Sequence, residues 1–215
     1  RDRLHLIKRH EDSSRQNISV AFDKNSTDNY GASQLSYIST PLVISGMPKA
    51  VVDYYADWFS RNNFVAVVGG SHSSSVDNVN NKVDDSARDN SKEKIVMKPG
   101  APVAAVLMTG DIDMAGTGTV STVLGDKLTA FGHPFMGIGS VSVPMAKATI
   151  LNTMVSAKRS FKMSTTGEII GEFTEDRQSA IGGYIGQFSS MMPVTTILNT
   201  PYGSETFSFR VVRDL

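Results

Sequence analysis

The chain has 215 residues, with 21 basic and 21 acidic side chains, a formal net charge of zero and no cysteine. That length allows one domain or two small ones. The balanced charge gives no case for nucleic acid, the missing cysteine excludes disulfides, thiol catalysis and Cys-ligated zinc, and no apolar run reaches the ~20 residues of a membrane-spanning helix. The sequence opens on Arg1 with no leader pattern, so the chain is expected to be a processed or excised piece of something longer.

In chain order, residues 1–33 are polar and mixed, with a basic cluster at Arg1, Arg3, Lys8, Arg9 and His10 and a short alternating segment at Ile18–Phe22. Leu35–Ile44 predicts a strand. Ser45-Gly-Met-Pro48 follows, where Ser45 or Gly46 can cap and Pro48 suits a first helical turn. A helix is expected over Pro48–Arg61, with Val51, Val52, Tyr55, Trp58 and Phe59 as its apolar stripe. Burial of that stripe is the ordinary reading, and an assembly element is the other. Phe64–Val68 predicts a buried strand.

From Ser71 to about Lys94 the composition turns to Ser, Asn, Asp and Lys. Such a segment buries too little apolar surface to offset its ordering entropy, which predicts a linker or long exposed loop. The chain is therefore divided into 1–70, an N-terminal strand and helix packing on a barrel; 71–95, the linker; and 96–215, a β-barrel region. Strands are expected at Val103–Met108, Ala115–Val123, Lys127–Phe131, Val141–Val143, Ser160–Met163, Glu168–Phe173, Ala180–Ile185, Val194–Leu198 and Thr206–Val212. Met145–Ala157 is ambiguous between helix and strand. The fold class is mainly β.

The stretch from Gly116 to Phe135 carries the chemistry. It predicts two strands joined by a tight turn at Gly125-Asp126, the second delivering His133 between Gly132 and Pro134. An imidazole at a strand end, next to a glycine that lets another backbone come close, is a candidate general base. The competing reading is a histidine that only packs or hydrogen-bonds. Gly116-Thr-Gly118 and Gly137-Ile-Gly139 fall short of a dinucleotide fingerprint and read as turn or corner glycines. No cofactor and no metal ligand set is expected.

Gly118-Thr-Val, followed by a turn and Leu128-Thr-Ala-Phe-Gly-His133-Pro-Phe, resembles the SpoIVB-type sporulation serine peptidases and their larger bacterial relatives. Ser160-Phe-Lys, Gly167-Glu-Ile-Ile-Gly171, Asp176-Arg177 and Ile181-Gly-Gly-Tyr-Ile-Gly186 are similar to the downstream segments, and Thr40-Pro-Leu-Val-Ile-Ser-Gly46 to an upstream one. The resemblance spans roughly residues 38–70 and 96–212, and the histidine segment is its most specific part. It implies a trypsin-like β-barrel and a Ser-His-Asp arrangement, with His133 as the base. The family's nucleophile motif, Gly-Met-Ser-Gly-Ser-Pro, is not in this sequence; Ser45-Gly-Met47 has a different order and is followed by a proline. In the larger relatives that motif precedes the Thr-Pro-Leu segment.

The resemblance implies a serine endopeptidase domain whose serine lies outside this chain, so that the chain alone is inactive. The substrate would be a protein or peptide, including its own precursor, and the location extracytoplasmic, in a bacterial envelope or secreted. The alternative is a non-catalytic β-barrel binding or scaffold module of an envelope protein. For the triad acid, Asp111, Asp113, Asp126 and Asp176 are available and none is assigned; Asp176-Arg177 is also a candidate internal ion pair.

Overall fold

The computed structural model describes residues 39–69, 96–154 and 161–213. The strand expected at 18–22, the basic cluster of 1–10, the first half of the Leu35–Ile44 strand and the segment 71–95 lie outside the described residues.

The first described strand, β1 (Thr40–Ser45), pairs in parallel with β2 (Phe64–Val68), from Thr40 opposite Phe64 to Ile44 opposite Val68. Parallel neighbours need a crossover. Two six-residue helices supply it, α1 (Lys49–Tyr54) and α2 (Ala56–Arg61). One continuous helix was expected here. The chain instead breaks at Tyr55, at φ −95° and ψ 8°, after a run rich in β-branched and aromatic residues with weak helix propensity. Val52 and Phe59, two turns apart, are the buried anchors, whereas Val51, Tyr54, Tyr55 and Trp58 stay exposed. The expected five-residue apolar stripe is thus narrower than its spacing suggested.

Ser45 does not cap the helix. It ends β1 opposite Asp113, and the N-cap is Pro48, which makes no side-chain cap bond. The turn between them depends on Gly46 at φ +78°, where a Cβ would lie 1.9 Å from the Asp111 carbonyl oxygen.

The remaining strands are β3 (Pro102–Gly110), β4 (Asp113–Leu124), β5 (Lys127–Ala130), β6 (Gly139–Met154), β7 (Phe161–Arg177), β8 (Ala180–Ile185), β9 (Met191–Thr200) and β10 (Gly203–Val212). The ten strands of the described residues form one sheet in the order β2-β1-β4-β5-β8-β7-β6-β3-β10-β9, with β3 also paired to β4. That extra pairing joins six antiparallel ladders into a closed circuit, β3–β4–β5–β8–β7–β6 and back to β3. Its strands contribute Val103, Ala105, Val120, Leu128, Ala130, Val143, Met145, Ile170, Phe173 and Ile181 to the buried core. β3 is buried on both faces, because Ala104 and Val106 pack in a second cluster with Ala115 and Ala146. Its continuous apolar run, rather than an alternating one, follows from that position.

The ambiguous stretch is strand from Met145 as far as Met154, and residues 155–157 lie outside the described residues. Exposure alternates with period two from Lys147 to Ile150, as a ladder with β7 requires. The two segments expected at Ser160–Met163 and Glu168–Phe173 are parts of one strand, β7, whose ladder with β6 shifts register four times. Each shift bends the pair, which lets strands of 16 and 17 residues curve with the circuit.

Phe173 has no exposed surface. Phe173→Ala is expected to destabilise the chain by about 3–5 kcal/mol, as large-to-small changes in packed cores do. Tyr54→Ala, at a solvent-facing ring, should stay within about 0.5 kcal/mol. Urea denaturation of the two variants measures both.

Candidate functional site

β1 and β5 share one edge of β4, β1 over Asp113–Gly116 and β5 over Val120–Leu124. Between them the edge forks. The histidine segment fills that fork. β4 and β5 are joined at Gly125-Asp126, with Gly125 at φ +64°, so the turn expected from sequence is the one that forms.

β5 ends at Ala130, one residue earlier than expected. Phe131 and Gly132 follow with φ of 74° and 73°, which turns the chain out of the ladder. The Phe131 N–H donates to the Thr119 carbonyl at 3.0 Å. A left-handed phenylalanine costs about 1–2 kcal/mol. Packing offsets it. The Phe131 ring meets those of Phe135 and Phe173 edge-on, at 5.7 and 6.4 Å, and Phe135 meets Phe64 of β2 at 5.2 Å. Such pairs contribute about 0.5–1.5 kcal/mol each, and burying the Phe135 ring adds about 1.5–3 kcal/mol.

These rings have prepared seats. Gly116 and Gly118 are two apart, on one face of β4. A Cβ on Gly116 would lie 2.5 Å from the Phe135 ring, and one on Gly118 2.4 Å from the Phe131 ring. Gly116-Thr-Gly118 is neither a phosphate loop nor a turn. It is the floor on which the aromatic residues flanking His133 rest.

His133 is half-buried in this segment. Its Nδ1 lies 2.8 Å from the Pro134 carbonyl oxygen, and its ring meets Phe131 edge-on at 5.9 Å. A carbonyl only accepts, so Nδ1 carries the proton of this bond and Nε2 of the neutral ring keeps its lone pair. Among the described residues no hydroxyl and no carboxylate is bonded to the ring.

The next three residues are held from below. Asp176, near the end of β7 and 1 % exposed, accepts the Phe135 N–H on Oδ1 at 2.8 Å, and those of Met136 and Gly137 on Oδ2 at 2.6 and 2.7 Å. Asp176 and Arg177 were read as a candidate internal ion pair. The structure instead turns Arg177 toward Glu175, at 3.6 Å, and commits Asp176 to the backbone. Of the other candidate acids, Asp111 accepts the Ser208 N–H at 2.6 Å, Asp113 accepts the Gly110 N–H at 3.3 Å, and Asp126 sits in the hairpin turn. Ser45 is buried at the end of β1 and makes no bond to His133.

Sequence reasoning named His133 and its hairpin, and named Asp176 only among the candidate acids; it missed the roles of Phe131 and Phe135. The two phenylalanines were visible in the motif, each beside a residue pair that exposes backbone. The backbone-holding role of Asp176 carried no local signal, since its partners lie 39 to 41 positions away. A groove of about 330 Å3 lies elsewhere, between the helices and β2, lined by residues that include Val52, Ala56, Phe64 and Ala66. No group of three or more His, Asp or Glu side chains among the described residues is placed to hold a metal ion. No helix among them is long and apolar enough to cross a membrane.

No family model, no curated protein and no solved structure matches this chain.

The seat and the ring should be energetically coupled. Gly118→Ala is expected to cost about 1–3 kcal/mol by forcing the Phe131 ring out. Phe131→Ala loses ring packing but empties the same space. The double variant should therefore be less destabilised than the sum of the singles, by about 0.5–3 kcal/mol. Denaturation of the three variants closes the cycle.

Proposed function

We propose that this chain is the part of a SpoIVB-like serine endopeptidase that supplies the general base, His133, to a serine borne outside the chain. The observation that supports the reading best is the Nδ1 bond to the Pro134 carbonyl, which fixes the tautomer with a basic Nε2 on a half-exposed ring. The closed circuit of six antiparallel strands is consistent with the trypsin-like β-barrel type that the resemblance implies. In the reaction, the serine hydroxyl attacks a peptide carbonyl while Nε2 of His133 takes its proton. The imidazolium then returns that proton to the leaving amine, and water hydrolyses the acyl-enzyme by the same route.

Two further parts must arrive with the serine. The N–H groups of Phe135, Met136 and Gly137 are committed to Asp176, so the oxyanion donors come from the serine's own segment. The acid of the triad comes from there as well. The substrate class is a protein or peptide, including another part of the same precursor, and the domain works extracytoplasmically, in the bacterial envelope or secreted.

A second reading has one observation in its favour. The partner of Nδ1 is a neutral carbonyl rather than a carboxylate, which suits a structural histidine in a non-catalytic scaffold of an envelope protein.

Fluorophosphonate labelling separates them. The complete gene product should label at one serine, and His133→Ala should slow labelling by about 10²–10⁴-fold without unfolding the domain. The 215-residue chain alone should not label. A complete product that stays unlabelled, or labels equally well with alanine at 133, overturns the peptidase reading.

A further inference from the structure

We propose that Asp176 is the positioning residue of the His133 segment: its carboxylate is a built-in anion in a backbone nest, and that nest accepts a small free carboxylate once the side chain is removed. Three successive N–H groups converge on one carboxylate at 2.6 to 2.8 Å. Consecutive N–H groups pointing inward make an anion-binding concavity, and Gly137 closes this one at φ +75°. The side chain is almost wholly buried, and its bonded partners are those three donors. Burying a carboxylate carries a large desolvation penalty. Charge-assisted bonds from all three donors together offset that cost.

The geometry carries position from sheet to loop. Asp176 stands in ladder register with Gly139 on one side and Ile181 on the other, so its Cα is held at the middle of three strands. The loop it grips has no ladder of its own between Ala130 and Gly139. Phe135, the first residue gripped, is also the one whose ring rests over Gly116. His133 lies two residues before it. Asp176 makes no hydrogen bond to the imidazole and acts through the backbone that carries it.

The chemistry of the site is selective. An asparagine keeps one accepting oxygen but turns an NH2 group toward donors, so it is a poor substitute despite its shape. Glutamate adds a methylene where there is no room. Formate or acetate has the same two oxygens as the native group and fits the space that alanine leaves.

The test uses isotope-labelled chain and NMR. In the native chain the amide protons of Met136 and Gly137 should lie downfield and exchange at least about a hundredfold more slowly than that of the exposed Gly132. In Asp176→Ala the His133 ring nitrogens should lose the Nδ1–H signature, and formate should restore it saturably, while chloride at equal ionic strength should not. Asp176→Asn should lose the signature and resist rescue. If Asp176→Ala does not fold, formate-dependent folding of that variant is the supporting result and formate-independent unfolding the opposing one. Fast exchange of the Met136 and Gly137 amides in the native chain, a His133 signature unchanged in Asp176→Ala, or a lost signature that formate leaves lost, each overturns the proposal. The role of His133 as a base rests on the peptidase reading, but this readout does not. An unlabelled parent protein would leave the nest standing, and an unfilled nest would leave the labelling experiment untouched.

Discussion

Two missing side chains on β4 decide where the histidine goes. The edge of β4 forks because β1 and β5 both want it, and a fork in a sheet leaves an apolar hollow flanked by unpaired backbone. With any β-carbon at Gly116 or Gly118 the hollow would be too shallow for an aromatic ring. With none, Phe131 and Phe135 drop into it, and the chain between them has only three residues in which to turn. His133 is the middle one. Its place follows from ring packing on both sides rather than from any bond the imidazole makes.

The rest of the fold arranges itself around that wedge. Phe64, the first residue of β2, supplies the wall against Phe135, so the βαβ unit shares an aromatic contact with the circuit as well as the β1–β4 ladder. The β7–β8 hairpin supplies the floor through Asp176. Apolar rings satisfy the hollow and one carboxylate satisfies the backbone. Either alone would leave an unfavourable remainder: exposed rings in one case, orphaned N–H groups in the other. The strain at Phe131 is tolerated because the ring cannot reach its seat from an extended backbone.

What was legible in the sequence tracks the range of the forces involved. The Gly125-Asp126 hairpin, the period-two strands and the histidine at a strand end are set by neighbours in the chain, and local pattern reveals them. The helical spacing from Val51 to Phe59 overstated the buried face, because only Val52 and Phe59 meet the sheet. The Met145–Met154 stretch is strand because β7 lies beside it, a partner that no local window contains. Gly116 and Gly118 stood out as anomalies, yet the reason lies in rings 13 to 19 residues later. Asp176 read as a candidate acid or as the ion-pair partner of its neighbour Arg177. Only the fold shows that strands β6, β7 and β8 put it beneath the histidine segment.

On the proposed reading, the identity of the Nδ1 partner sets what this domain can and cannot contribute. In serine-histidine catalysis the acid has two roles: it orients the ring and it stabilises the imidazolium that forms. The Pro134 carbonyl performs the first, since it accepts the Nδ1 proton and holds the tautomer. It performs the second only weakly, being neutral. The carboxylate that holds this segment, Asp176, spends its charge on three amides instead. A base held this way is oriented before its partner arrives and only weakly stabilised once charged. The segment that brings the serine must therefore bring the compensating charge too, and catalysis is divided between the two by electrostatics as much as by sequence.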